Sequence, residues 1–304
     1  MSFDFDAAVL APFRMQPGLR RLAPGSAPQL TPAIVPHRGA ARHLREKLAV
    51  LWAYRDQALL CAPGFDPQPA LAGLAAHAAT EHPQAFAVEA DGSWFARWLG
   101  WRVGPRGQAQ PHDTSWPEIG DFLQQLPPAW RQSALLMLAF AEDLAIVDGR
   151  SGTLPWLAVA LPSGWAPEDK IGLHFAAVHA PVADNQLLLS AADHLVKLGT
   201  GAQRWERFVW TLTSHPRLHA HPRRLPQPRW PSGLTAQTIA AQTWWRTERQ
   251  TFIPVATPQG PQAVFTIQVD TVPLAQALQP PAQAAHLHDA LAALSAAVLA
   301  YREL

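Results

Sequence analysis

The most suggestive chemistry in the sequence lies in Leu173-His174-Phe-Ala-Ala-Val-His179-Ala-Pro181, where two imidazoles sit in an otherwise apolar run and His179 closes it just before a proline. A neutral imidazole in apolar surroundings is a strong ligand for iron, haem iron included. The commoner reading of such a residue is a core or helix-capping histidine, and the spacing alone does not choose. A second concentration is Arg246-Thr-Glu248-Arg249-Gln250-Thr251, bounded by Trp244, Trp245 and Phe252. Strand alternation places Glu248 and Gln250 on one side and Arg249 and Thr251 on the other. If the first side faces a pocket, Glu248 is an anion suited to an ammonium group; otherwise the segment is a cross-strand ion pair on a solvated face. His215, His219 and His221 cluster in a proline-rich stretch with no cysteine or carboxylate beside them, which argues against a zinc site. Glu142-Asp143 follows an apolar run and reads by default as a cap or turn.

Familiar signatures are missing. There is no G-x-G-x-x-G after a strand, no phosphate-binding Walker loop, no G-x-S-x-G elbow and no H-E-x-x-H. With a formal charge of +1 from 24 basic and 23 acidic residues, no global field draws in nucleic acid or an anionic membrane. One cysteine, Cys61, excludes an internal disulfide and any cysteine-held cluster or covalent haem. No apolar run approaches the roughly 18 residues of a membrane span, and Met1 to Asp6 carries two acids and no basic leader, so a cytoplasmic protein without membrane or nucleic-acid partners is expected. Thirteen tryptophans call for either a wide apolar pocket or an unusually aromatic core.

These residues need elements to position them. Prolines at 12, 17, 24, 28, 32 and 36 predict an extended arm. Leu44, Leu48, Leu51, Trp52 and Leu59 predict a helix from Ala41, and a second is expected over Pro69 to Thr80. Asp91-Gly92 between alternating segments, Phe86 to Trp98, predicts a type I′ hairpin. The stretches Gly104 to Pro117 and Ser214 to Pro231 read as surface loops. Strands are expected over Leu135 to Val147, Trp156 to Leu161, Trp205 to Leu212, Thr243 to Val255 and Val264 to Val269. The clearest alternation sets Phe265, Ile267 and Val269 against Thr266 and Gln268. Helices are expected over Pro167 to His179, Asp184 to Leu198 and Gln283 to Tyr301. The result is an α+β chain: an antiparallel sheet with a helical insertion and a closing helix (residues 129–304), preceded by an arm, helices and a hairpin packed on that core (1–128) as one compact unit.

Taken in order, several segments resemble the α-subunit family of the haem-dependent oxidative N-demethylases. They are Pro12-Phe-Arg14-Met-Gln-Pro-Gly18-Leu-Arg20, Ala141-Glu142-Asp143-Leu144, Leu161-Pro162-Ser163-Gly-Trp165, Lys170-Ile-Gly172 running to His179-Ala-Pro181, Trp210-Thr-Leu212, Arg246-Thr-Glu248-Arg249-Gln250-Thr251, Phe265-Thr-Ile267 and Tyr301 to Leu304. The resemblance spans nearly the whole chain. It departs at Gln268 and Asp270, where the family commonly carries arginine and tyrosine, and at Val209, where it often carries asparagine.

The resemblance implies a PAS-like fold holding non-covalent haem b, with His179 as axial iron ligand and with oxidation of dimethylamine or a similar small secondary amine by dioxygen. It implies NADPH, flavin mononucleotide, a [2Fe–2S] cluster and tetrahydrofolate on other subunits, among them a reductase. On this reading Glu248 and Arg249 are the catalytic candidates, and Arg14, Arg246 and Arg249 the candidates for the haem propionates or for polarising oxygen. A haem-binding sensor without that catalysis, and a scaffold that has lost haem, are the alternatives.

Overall fold

The computed structural model describes residues 3–23, 25–36, 41–113, 116–225 and 230–304. Pro24 of the arm, residues 114–115 of the first expected loop and residues 226–229 of the second lie outside the described residues. The chain opens with a one-turn helix α1 (Phe5–Ala8), where Asp4 Oδ1 accepts the Ala7 amide, and then runs as an extended arm to the short strand β1 (Arg20–Arg21). Helix α2 (Arg42–Ala58), strand β2 (Leu59–Cys61) and helix α3 (Gln68–Glu81) follow close to the positions the apolar spacing predicts. Gly73 lets α3 lie directly on the sheet, since a Cβ there would be 2.4 Å from a Val255 methyl.

Strands β3 (Phe86–Val88), β4 (Trp94–Ala96), β5 (Trp101–Val103) and β6 (Ala109–Pro111) form a four-stranded antiparallel sheet. The β3–β4 turn is not the expected two-residue type. The Gly92 amide donates to the Glu89 carbonyl, the Glu89 amide donates to Ser93 and Asp91 Oδ1 accepts the Ser93 amide, so Gly92 supplies the positive φ of +83° at the end of a longer loop.

Helices α4 (Pro117–Gln125) and α5 (Pro128–Ala139) lead to β7 (Asp143–Asp148) and β8 (Trp156–Ala158). Leu135 to Ala139, expected as the start of a strand, is the end of α5. A fully apolar Ala-Leu-Leu-Met-Leu-Ala run has no polar face by which a buried helix differs from a buried strand, and Pro128 in the first turn starts the helix. After β8 come α6 (Phe175–His179), α7 (Gln186–Ser190) and α8 (Ala192–Gly199), shorter and more broken than expected. Only a 3₁₀ turn over Pro167–Asp169 forms ahead of Gly172, whose φ of +73° ends it before α6.

Strand β9 (Trp205–Thr213), helix α9 (Ala236–Gln242) and the long hairpin β10 (Trp244–Thr257) and β11 (Gly260–Pro273) complete the main sheet. Its order is β1-β9-β10-β11-β7-β8-β2, with every pairing antiparallel. The end of the chain is α10 (Leu274–Ala277), α11 (Pro281–Ala292) and α12 (Ala296–Arg302). The single closing helix expected there is two helices bent by 110°, because Ser295 caps α12 by accepting the Val298 amide and donates its hydroxyl to Asp184. Among the described residues no single helix is long and apolar enough to cross a membrane.

The fold is therefore α+β with antiparallel sheets. One face of the main sheet buries Ile253, Val255 and Val264 against α2, α3 and α5 in a core that also takes most of the tryptophans, including the stacked Trp130 and Trp156. Within it, the Lys47 ammonium donates to the carbonyls of Met137, Phe140 and Glu142 and lies 3.6 Å from Asp143. Glu142 accepts the Thr31 amide and Asp143 accepts the Leu161 amide. The acidic pair is thus more than a turn: it ties the arm, α2 and the strand-end loops to one point. The opposite face of the sheet, under α6–α8, is not filled.

Candidate active site

That second face floors a cavity of about 710 Å³, within the roughly 300–1,000 Å³ range of cofactor and small-molecule sites. Its walls include Leu154, Leu157, Val178, Leu188, Leu195 and Phe265, so they are largely apolar. Arg14 and Tyr301, both exposed, mark where it meets solvent.

His179, the last residue of α6, lines this cavity. Its Nδ1 lies 2.8 Å from the Phe175 carbonyl, and because a carbonyl only accepts, the proton is on Nδ1 and the lone pair on Nε2. The Phe175 ring lies 4.2 Å from the imidazole, and Asn185 Nδ2 donates to the carbonyls of His179 and Ala180, which fixes the turn that carries the ring. Burial, reinforced by the positive charges of Arg207 and Lys170, pushes the His179 pKa down to about 4, so the ring is neutral at physiological pH. His174 has a different job: its Nδ1 caps α6 by accepting the Ala176 amide, and the residue does not line the cavity.

On the floor, strand alternation aims Arg246, Glu248, Gln250 and Phe252 of β10, and Phe265 and Ile267 of β11, into the cavity. Glu248 is buried and accepts the Gln250 side-chain amide at 2.5 Å. Arg249 points the other way. It donates to Glu206 at 2.8 Å and to the Pro28 carbonyl at 2.6 Å, holding the arm against the back of the sheet, so its expected place beside a cofactor or substrate is corrected. Gln268 shares that back face, within reach of Thr31, and Asp270 lies near Arg42. Two of the three departures from the family pattern are thus remote from the cavity. The third, Val209, lines it directly opposite Glu248.

Of the other expected cations, Arg14 lines the cavity near its opening. Arg246 also borders it, but its guanidinium is 2% exposed and donates to Ser163 Oγ and to the carbonyls of Pro162, Arg217 and Leu218. It clamps the loops that roof this end and has little to offer a propionate. Two arginines the sequence reading passed over stand in the cavity instead. Arg207 of β9 is half-buried, with its Nε buried and without a hydrogen-bond partner among the described residues. Arg302 of α12 lies over the rings of Phe13 and Trp210, its Nη1 likewise unpartnered, and burial lowers its pKa to about 10. Lys170 completes the set, its Nζ donating to the Val178 carbonyl.

Of the clustered histidines, His215 lines the cavity, His219 stacks on Tyr54 and His221 contacts Glu168. Among the described residues no group of three or more histidine, cysteine or acidic side chains is placed to hold a metal ion.

An antiparallel α+β core encloses a largely apolar chamber of cofactor size, with the neutral imidazole of His179 on its wall. A sequence model of the family described as haem-dependent oxidative N-demethylase, alpha subunit-like, matches residues 41–304, and the chain belongs to that family. No curated protein sequence matches it.

Proposed function

We propose that the chain binds haem b in this cavity with His179 on the iron, and that the loaded protein removes a methyl group oxidatively from a small secondary amine. Dimethylamine is the type substrate, and electrons come from a reductase partner that carries NADPH, flavin and [2Fe–2S] chemistry. The observation that carries the reading is the His179 hydrogen bond. A metal-ligating imidazole characteristically donates its second N–H to a carbonyl or carboxylate, which fixes the tautomer and raises the basicity of the other nitrogen. His179 does so to Phe175 and presents Nε2 at the wall of an apolar chamber.

The residues fit the group. The chamber has the size and apolarity a porphyrin needs, and Arg302, Arg14 and Lys170 supply positive charge for its two carboxylates. The strand order β8-β7-β11-β10-β9, which is 2-1-5-4-3 in chain order within the five central strands, with α6–α8 inserted between the second and third, supports the PAS-like description.

Bound haem supplies the dioxygen chemistry: with two electrons and two protons the N-methyl group leaves as formaldehyde, giving the primary amine and water. The chain's own residues do the rest. His179 orients the group by a fixed ring. The Glu248 carboxylate, on the sheet side facing the α6 wall, holds an ammonium by charge-assisted hydrogen bonds while Gln250 keeps the carboxylate in place. The apolar walls exclude water from the reacting face.

The test is to load the protein with haem, supply NADPH and a ferredoxin-type reductase, and add dimethylamine. Formaldehyde and methylamine formed in equal amounts support the reading. A haem-loaded, reducible protein that consumes NADPH no faster with the amine and makes no formaldehyde replaces it with a haem sensor.

A further inference from the structure

Glu248 and Arg207 stand on adjacent strands of the cavity floor. Val209 is the direct partner of Glu248 and Arg207 that of Gln250, which makes Glu248 and Arg207 diagonal neighbours, with backbone positions about 7–8 Å apart. Both line the cavity. They do not form a close ion pair: Glu248 engages Gln250, and the Nε of Arg207 is buried without a partner among the described residues. Burial presses the Arg207 pKa down and only the field of Glu248 opposes it. A half-buried guanidinium whose Nε–H has no partner among the described residues is an arrangement that an incoming anion relieves.

For the porphyrin carboxylates the cavity has other cations at its open side, Arg14 and Arg302, whereas Arg207 lies on the floor beside the anion assigned to the amine. An anion and a cation spaced by one diagonal of a sheet, in one dry chamber, match a ligand that carries both charges. Resting on the functional reading above, we propose that the substrate class is a secondary amine bearing a carboxylate, an N-methyl amino acid, with its ammonium on Glu248 and its carboxylate on Arg207. The planar fork of arginine takes a carboxylate through two parallel N–H donors, which a lone dimethylammonium ion leaves unused.

Calorimetry on the haem-loaded protein, and separately on the apoprotein, with N-methylglycine, its methyl ester and dimethylamine as probes tests this without turnover. N-methylglycine is expected to bind at least tenfold tighter than either the ester or dimethylamine. Arg207→Gln is expected to abolish that preference, and Arg207→Lys to restore part of it. Equal affinity of the wild type for all three probes overturns the proposal, and that comparison needs no variant to fold. An Arg207→Gln protein that loses haem affinity but keeps the preference for N-methylglycine also overturns it, by assigning Arg207 to a porphyrin carboxylate. Absence of stoichiometric haem binding removes the functional reading instead, and the apoprotein titration still reports whether the carboxylate is recognised.

Discussion

The Nδ1–H of His179 is held by the Phe175 carbonyl one helical turn earlier, at 2.8 Å, inside a five-residue helix that ends on the histidine itself. The imidazole Nε2 is therefore oriented by its own helix, and the orientation does not depend on a distant residue. Because burial lowers the His179 pKa to about 4 from its ordinary 6.5, protons do not compete for Nε2 near neutrality. Haem affinity is expected to be flat between pH 6 and 8 and to fall as pH drops toward 4. The same depression bears on folding. The unfolded chain takes up a proton on this ring below about pH 6.5 and the native chain does not, so this contribution to stability is complete above 6.5 and lost progressively between 6.5 and 4. Thermal unfolding of the apoprotein across pH 4–7, compared with His179→Ala, checks it: the variant should lose less stability on acidification.

Glu248→Gln keeps shape and one acceptor oxygen but removes the charge. Loss of a charge-assisted hydrogen bond is worth about 1.5–3 kcal/mol, so amine affinity should fall roughly ten- to a hundredfold while the haem spectrum stays unchanged. The measurement is an amine titration followed by the Soret band. Unchanged amine affinity would remove Glu248 from the site.

Arg246→Gln should act on the cavity without touching its contents. Its guanidinium joins Ser163 to three loop carbonyls, so the variant is expected to weaken haem binding and raise protease sensitivity around residues 161–165 and 217–218, with the axial-ligand spectrum intact. A changed ligand spectrum would mean that Arg246 acts at the haem itself.

The buried Lys47 cluster governs the back of the molecule. Lys47→Met leaves Asp143 without its cation in the core and should destabilise the fold by about 3–5 kcal/mol in denaturant unfolding. Glu142 is the pH-sensitive member. Burial raises its carboxyl from an ordinary 4.5 to about 7, so the native state holds a proton that the unfolded chain has released. That contribution is present below about pH 4.5 and is lost as pH rises through 7, and Glu142→Gln should flatten the decline in melting temperature between pH 5 and 8.

The site was partly legible in the sequence for identifiable reasons. Alternation along Arg246 to Thr251 puts Glu248 and Gln250 on one side, and the cavity lies there; the same parity turns Arg249 to the other face, against Glu206 and Pro28. Arg207 sits in a segment correctly expected as a strand, yet a strand pattern does not say which face stays unfilled, and an arginine there reads as solvent-facing. Arg302 reaches the cavity because the closing helix bends by 110° at Ser295, a turn set by a tertiary contact to Asp184 and invisible to helical periodicity. The same limit explains α5, whose uniformly apolar end carries neither a period of two nor one of 3.6.

The most direct test of the account is a hemin titration of the wild-type protein beside His179→Ala, with spectra of the ferric, ferrous and carbon monoxide-bound forms. The account requires saturable one-to-one binding by the wild type with a shifted Soret band, and loss or alteration of that band in the variant. A wild type with no stoichiometric binding, or a variant whose spectra match it in all three states, contradicts the assignment of His179 and of the cavity it lines.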